Sequence, residues 1–397
     1  MMRRAAIIGT AAIPVGRHQC KAGDPIQVVE HEIAARLVIQ AMQDAGVDKS
    51  EVNAIVCAHP RPYTKQKYFS TFMAHYLRLP CKGIVMETMG NGLTAALAFD
   101  KAVDEILLGR AEVALALAVN MEMSVESAVH MRDSVRATGD VDFHAPAGFT
   151  PISWYAMDAM RYMHEHGVTR AQIASVAVKN RRHAALNPLA QYRSPITLEQ
   201  VLEQRPIVEP LGLYEVPPRG DGAACLVIAS EQRARALGRP FALVRARGFF
   251  HEGAHQISEI PNDMIGFVAA QTAGRIAYEA AGIGPDDLDL VEPYAPCTIV
   301  EVLVSEALQL APRGGGALAA QRGETSLGGR MPIATSGGFT SRGHPSYATP
   351  LYSFIELADQ LRGRAGARQV ADARLALASN ELGNYNAALV HILEAVR

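Results

Sequence analysis

Two rhythms of apolar and polar positions alternate along the first 120 residues. Short continuous apolar runs at Arg4–Gly9, Val52–Ala58, Gly83–Glu87 and Glu112–Val119 predict strands buried on both faces. Between them, apolar residues recurring three and four apart predict helices over Glu30–Ala45, Lys67–Leu77 and Leu93–Leu108. Gly46 stands where a helix ends in a left-handed residue. Met89-Gly90-Asn91-Gly92 supplies a tight turn into the third helix. Strands without a polar face need helices on both sides, so the pattern predicts an α/β sheet.

The same unit recurs near the other end of the chain. Ala45-Gly46-Val47 followed by Val52–Val56 is echoed by Ala281-Gly282-Ile283 followed by Leu288–Glu292. The strand Ala114–Asn120 is echoed by Arg374–Asn380, and each follows a helix that opens at a Gly-containing turn. Two copies make an internal duplication rather than a solenoid. Between them Glu122–Pro217 lacks the strand rhythm, is rich in Met, His and Arg, and predicts helices near Trp154–His166 and Thr169–Leu186. It reads as an insertion over one face of the core. The expected division is an N-terminal half over 1–120, an insertion with the closing strand of that half over 121–240, and a C-terminal half over 241–397.

Composition narrows the function classes. In 397 residues, 49% are hydrophobic, enough for a large core, and 38 Lys+Arg against 40 Asp+Glu leave no basic footprint for a nucleic acid. The 5 cysteines are scattered without CxxC spacing, which fits a reducing cytoplasm. The opening Met1–Gly16 imitates a signal peptide, but Gly9, Pro14 and Gly16 interrupt it and Ala5–Gly9 reads as a strand. No apolar run is long enough to cross a membrane as a helix. Neither GxGxxG nor a P-loop is present, so nucleotide cofactors are not expected.

The sharpest stretch is Ser336-Gly337-Gly338-Phe339-Thr340-Ser341-Arg342-Gly343-His344-Pro345. Glycine pairs let the backbone turn steeply, and the His before Pro345 enters a helix whose N-terminus favours negative charge. His251-Glu252-Gly253-Ala254-His255 matches HExxH, but zinc binding needs a helix that this strand-following segment does not predict, so no metal is expected. His164 and His166 suit a helix C-terminus. Lys179-Asn180-Arg181-Arg182-His183 forms a basic cluster, read either as a phosphate contact or as a solvated helix face.

These stretches together resemble the thiolase superfamily. SGGFTSRGHP is similar to its GG-x-x-x-x-GHP signature, Gly220-Asp221-Gly222-Ala223-Ala224 to its DGAAA strand, and Leu108–Val113 with Asn120–Ser124 to its GxxDV…ExMS stretch. Val291-Glu292-Pro293-Tyr294-Ala295-Pro296-Cys297 stands where sterol-carrier-type thiolases carry an ELHDCF-like motif, and Ser379-Asn380-Glu381-Leu382-Gly383 where they end in CxG or HNLG. The resemblance spans the chain in order. It implies an α/β thiolase fold, with duplicated βαβαβαββ halves in stacked α-β-α-β-α layers and an insertion domain.

The departures bear on chemistry. Degradative thiolases carry an acyl-accepting Cys in a CASG turn, and here the run is Met89-Gly90-Asn91-Gly92. A thioether has no ionisable proton and cannot form an acyl-thioester. Asn380 replaces the second Cys, and Cys297 is expected to be buried and inert. The resemblance implies that Tyr294 and His344 flank the oxygen of an acyl-CoA thioester. Backbone groups of Met89, Gly90, Leu382 and Gly383 are implied as oxyanion donors, Tyr347 and Asn380 as accessories, and Arg181, Arg182 and His251 as weaker substrate contacts. A phenol near pKa 10 and an imidazole near 6.5 can share a proton.

Cys-less chains with Tyr in this motif resemble the steroid side-chain aldolases, which cleave a 3-hydroxyacyl-CoA without a nucleophile. Those aldolases carry a second Tyr where this chain has His344. The expected activity is therefore retro-aldol cleavage through an enolate. Alternatives are an acetyl-CoA acetyltransferase-type acyltransferase with another nucleophile, or a non-catalytic acyl-CoA or lipid carrier. The resemblance further implies a coenzyme A thioester as substrate with no tightly bound cofactor, a homodimer, and a small zinc-ribbon/OB-fold partner of the DUF35 type.

Overall fold

The computed structural model describes residues 3–18, 29–60, 64, 66–123, 125–136, 141–143, 146–253, 263–383 and 385–397. The N-terminal half runs β1 (Ala5–Ala12), α1 (Glu30–Ala45), β2 (Val52–Ala58), α2 (Phe69–Tyr76), β3 (Val85–Thr88), α3 (Thr94–Leu107) and β4 (Val113–Asn120). The insertion contributes α4 (Ser127–Arg136), α5 (Pro151–His166), α6 (Arg170–Ala185), α7 (Leu198–Leu202) and a small hairpin of β5 (Pro206–Val208) and β6 (Leu211–Gly212). The chain then returns to the first sheet through β7 (Gly222–Ser230) and α8 (Glu231–Ala236). The second half is β8 (Phe241–His251), α9 (Val268–Ala281), β9 (Leu290–Pro293), α10 (Thr298–Ala307), α11 (Gly316–Gln321), α12 (Thr349–Leu361), β10 (Leu375–Glu381) and β11 (Ala387–Val396).

The duplication is visible in the strand order β3-β2-β4-β7-β1-β8-β11-β10-β9. From the centre outward each half reads the same way, with β1 matching β8, β7 matching β11, β4 matching β10 and β2 matching β9. The counterpart of β3 is reduced to a single parallel bridge from Ile333 to Val291. The halves join where β1 and β8 pair antiparallel at Ala6–Leu243 and Ile7–Ala242. Gly46 and Gly282 both end their helices with φ near 65° (67° and 65°), as the repeated Ala-Gly signature predicts. Gly9 and Gly248 form another related pair: a Cβ would stand 2.3 Å from the Ala41 oxygen at Gly9 and 2.0 Å from the Ala273 oxygen at Gly248. Each glycine lets its helix lie directly on its strand.

Strand alternation builds five layers. On β4, Val113, Leu115, Leu117 and Val119 face Leu37 and Val38 of α1 and Phe69 and Met73 of α2. Ala114, Ala116 and Ala118 face inward toward α3 and α12, and their small size admits these two helices between the sheets. There Phe99 and Phe354 meet at 4.2 Å between ring centroids. On the far side, Ala388, Val390 and Ile392 of β11 bury α9 and α10. The result is α-β-α-β-α. The insertion packs Tyr155, Tyr162 and Ile173 into that last core, so it leaves the N-terminal half and covers the C-terminal one. Among the described residues no helix is long and apolar enough to cross a membrane.

Candidate active site

Three chain segments converge at the inner ends of α3 and α12. The first is the turn between β3 and α3. Thr94 ties it together: its hydroxyl donates to the Asn91 carbonyl at 2.6 Å and accepts the Gly90 N–H at 3.1 Å. Asn91 takes a left-handed φ of 43°. Met89 heads the turn with 64% of its surface exposed. The Gly92 N–H donates to the Leu382 carbonyl at 3.2 Å, joining this turn to the loop after β10.

The second segment leaves β9 at Tyr294, whose N–H donates to the Ser379 carbonyl at 2.7 Å. Tyr294 is 6% exposed and presses against the first turn. A Cβ at Gly92 would stand 2.4 Å from the Glu381 carbonyl oxygen, 2.8 Å from Tyr294 Cζ and 2.9 Å from its hydroxyl. The third segment is the SGGFTSRGHP loop, whose Gly338–Arg342 stretch winds as a buried π-helical turn. Phe339 stands between the two implied proton-handling groups, edge-on to Tyr294 at 4.7 Å and stacked on His344 at 4.9 Å. Tyr294 and His344 have ring centroids 5.9 Å apart. His344 Nδ1 meets the Thr349 hydroxyl at 2.8 Å, which fixes the orientation of the ring.

A buried charge network holds this loop. Glu292, next but one before Tyr294, accepts the Ser336 N–H and hydroxyl, both at 2.8 Å. Arg342 donates to Ser336 at 3.0 Å and lies 3.5 Å from Glu292, with both side chains 1% exposed. Burial pushes the Glu292 carboxyl up against the opposing pull of Arg342. Glu356 on α12 joins the network through Thr335 and Arg368. From the insertion, Gln191 and Tyr192 donate their N–H groups to the Arg342 and Ser341 carbonyls, bracing the loop from outside.

Several sequence expectations change at this point. The basic cluster is not a solvated face. Lys179 is buried on Glu301 and the Ile333 carbonyl, and His183 is buried between Ala334 and Leu327, with burial first and then Lys179 lowering its pKa to about 3. Arg181 is buried, donating to Ser341 at 3.1 Å over the rings of Tyr192 and Tyr214, while Arg182 faces solvent. Three implied oxyanion donors are engaged internally: the N–H groups of Gly90 with Thr94, Leu382 with the Ala387 carbonyl, and Gly383 with the Glu381 carboxyl at 2.6 Å. A backbone amide bound to an internal acceptor does not point at a ligand, which leaves Met89 of that set. His251 ends β8 rather than opening a helix, and Ala254 and His255 lie outside the described residues. Among the described residues no three His, Cys, Asp or Glu side chains are grouped to hold a metal.

Tyr347 is buried in a short turn ahead of α12, and Asn380 is buried on β10 with its Nδ2 unpartnered among the described residues. Cys297 is 1% exposed, and burial pushes its thiol well up. Cys57 and Cys225 are equally enclosed, Cys81 is half-buried in the connection after α2, and Cys20 lies outside the described residues. Thr349 touches the site through His344 and was not singled out from sequence, whereas Gly92 and Glu381 stand inside stretches that the resemblance had marked without giving either a role.

Family models agree with this geometry. Residues 5–232 match the thiolase N-terminal domain, and residues 252–395 match the thiolase C-terminal domain-like family. The chain belongs to the thiolase family. The acetyl-CoA acetyltransferase of Methanothermobacter thermautotrophicus is 30% identical over 98% of this chain and 99% of its own. Sterol carrier protein 2 of Oryctolagus cuniculus is 34% identical over 58% of this chain and 42% of its own. The solved structure of the Ltp2-ChsH2(DUF35) aldolase superposes with a TM-score of 0.83 at 27% identity, covering 99% of this chain and 98% of that one.

Proposed function

We propose that this thiolase-family protein acts on acyl-CoA and cleaves a 3-hydroxyacyl-CoA by a retro-aldol reaction. A site base takes the 3-hydroxyl proton, the C2–C3 bond breaks, and C3 leaves as a ketone or aldehyde. The electron pair moves onto the thioester oxygen as an enolate, and a returned proton at C2 gives the shorter acyl-CoA. Tyr294 and His344 are the pair that handles these protons. The observation that carries the reading is Met89. An exposed thioether heads the turn that Tyr294 touches, so the site keeps groups for an oxyanion and presents no thiol for an acyl-enzyme. The aldolase neighbour supports the same choice.

Acyl transfer is the second reading, favoured by the full-length likeness to an acetyltransferase. It needs a nucleophile, and the fully enclosed Cys57, Cys225 and Cys297 are poor candidates because a buried thiol resists ionisation. A non-catalytic carrier is the third. We assign a coenzyme A thioester as substrate with no tightly bound cofactor, a cytoplasmic location, a homodimer, and, following the aldolase neighbour, a DUF35-type partner. Mass spectrometry of 3-hydroxyacyl-CoA and 3-ketoacyl-CoA panels, with and without free CoA, tests the choice. Cleavage of the hydroxyacyl-CoA without added CoA, abolished in Tyr294→Phe and His344→Ala, supports the aldolase. CoA-dependent cleavage of the ketoacyl-CoA overturns it, and equal turnover in both variants removes the two residues from the site.

A further inference from the structure

Behind Tyr294 lies a buried cluster of acids and phenols that the proposed chemistry does not use. Its centre is Glu381, 3% exposed, at the end of β10. One carboxyl oxygen, Oε2, accepts the N–H groups of Gly383 at 2.6 Å and Tyr385 at 3.3 Å, folding the loop that follows. The other, Oε1, is buried with no hydrogen-bond partner among the described residues. The Glu381 main-chain oxygen meanwhile shares the ground above Gly92 with the Tyr294 ring. One residue therefore places a carbonyl against the site and a buried carboxyl oxygen, without a partner among the described residues, on the same strand end. A buried polar atom left unpaired is costly, and its persistence asks for a role.

The carboxyl acts on Tyr155 from α5 and on Tyr385 of the loop itself, and those two rings in turn feel Asp158 of α5 and Tyr294 and Cys297 of the β9–α10 connection. Tyr155 meets Tyr385 edge-on at 5.8 Å, and Phe267 stacks on Tyr385 at 3.7 Å, closing the cluster with an apolar wall. None of these groups is a cation. We propose that Glu381 is a positioning residue that sets how much negative charge the site can hold: uncharged, it lets the Tyr294–His344 pair stabilise an enolate, and ionised, it opposes that enolate. Like charges in a dry setting repel strongly, and among the described residues the loop offers the carboxylate two backbone donors, both on one oxygen. Burial supports the uncharged resting state by pushing the Glu381 carboxyl up to about 8, against the pull of the Gly383 and Tyr385 N–H groups. The inference rests on Tyr294 and His344 facing an enolate, and not on aldol cleavage as such.

Deuterium exchange at C2 of a saturated acyl-CoA tests it separately from the cleavage reaction. The C2–H bond breaks, the proton passes to a site base, the electron pair moves onto the thioester oxygen, and a deuteron returns from D2O. Neither a 3-hydroxyl nor a nucleophilic thiol is needed. The expected wild-type exchange rate falls on the alkaline side with a midpoint near 8. Glu381→Gln, which keeps the acceptor oxygen and cannot ionise, should lose that limb while staying within about threefold of wild type at pH 7. Asp158→Asn should keep the limb, which separates the two buried carboxyls. Tyr385→Phe removes a hydroxyl able to solvate the ionised form, so its midpoint should move upward, and this holds the inference open to test if Glu381→Gln fails to fold. A limb that survives Glu381→Gln, a limb that vanishes in Asp158→Asn, or no exchange by the wild type overturns the inference. Exchange with the expected limb but no CoA-independent cleavage overturns the aldolase reading alone.

Discussion

Gly92→Ala is the most direct probe of how the three segments meet. The backbone of Gly92 lies outside the left-handed region, so alanine adds no conformational strain there and its effect is purely one of contact. The new methyl would stand 2.4 Å from the Glu381 carbonyl oxygen and 2.8 Å from Tyr294 Cζ, where ordinary contacts begin near 3.4 Å. A main-chain oxygen in a strand end cannot rotate aside, so β10 or α3 must move by about 1 Å, as overpacked cores do at a cost of about 1–3 kcal/mol. A displacement of that size at reacting groups lowers turnover by on the order of 10–100-fold. The matched control is two residues away. At Gly90 the added methyl meets Leu97 Cδ1 at 2.7 Å, the far end of a flexible side chain, and Leu93 Cβ at an ordinary 3.5 Å, so Gly90→Ala should be tolerated within about threefold. Urea unfolding gives the change in stability, and CoA-independent cleavage or C2 exchange gives the rate. If Gly92→Ala turns over within twofold of wild type, or if Gly90→Ala is the more damaging of the two, Tyr294 and Glu381 are not held against this turn as the geometry requires.

Met89→Ala should leave CoA-independent cleavage within about threefold, because the exposed thioether takes no part in the proposed reaction; a loss beyond tenfold would give it a role. Arg342→Met strands the fully buried Glu292 carboxyl, and the expected destabilisation by urea unfolding is about 3–5 kcal/mol. Adding Glu292→Gln to that variant should recover part of the loss, and an additive double variant would show that the two are not paired. Asp158 has its carboxyl pushed up to about 8 by burial from a usual value of 3.8. The folded state keeps the proton while the unfolded chain gives it up, so this group lowers stability progressively as pH rises from about 4 to 8. Asp158→Asn should therefore match wild type near pH 4 and exceed it by several kcal/mol at pH 8, since each tenfold difference in proton affinity is worth about 1.4 kcal/mol. A gap that does not widen with pH would refute the burial account.

Local pattern was sufficient for the repeating unit. The helix Glu30–Ala45 and the strand Val52–Ala58 fall where periodicity predicts them, since a 3.6-residue apolar stripe and an unbroken apolar run are both local signals. The helix expected at Lys67–Leu77 is shorter, Phe69–Tyr76, because Tyr68 takes a left-handed backbone that starts it late. Ala-Gly echoes marked the duplication because each left-handed helix end requires the same residue. Tyr294 and His344 were legible as candidates through family resemblance, and the absence of a thiol at position 89 is a fact of the sequence alone.

What the tertiary structure decided was distance and burial between parts far apart in the chain. Lys179, Arg181 and His183 look like a polar helix face in a one-dimensional reading, yet their partners Glu301, Ser341 and Ala334 arrive from the other half of the molecule. The seam between the sheets rests on two residue pairs, Ala6–Leu243 and Ile7–Ala242, that no periodicity encodes. The amides of Leu382 and Gly383 are assigned by which acceptor folds back upon them, Ala387 in one case and the Glu381 carboxyl in the other. Glu381 itself is an ordinary acid in sequence. Its burial, its raised proton affinity and its place beside the Tyr294 turn arise only when β10, the Met89–Gly92 turn and α5 exclude water around it, because desolvation is a property of the assembled neighbourhood and not of the residue.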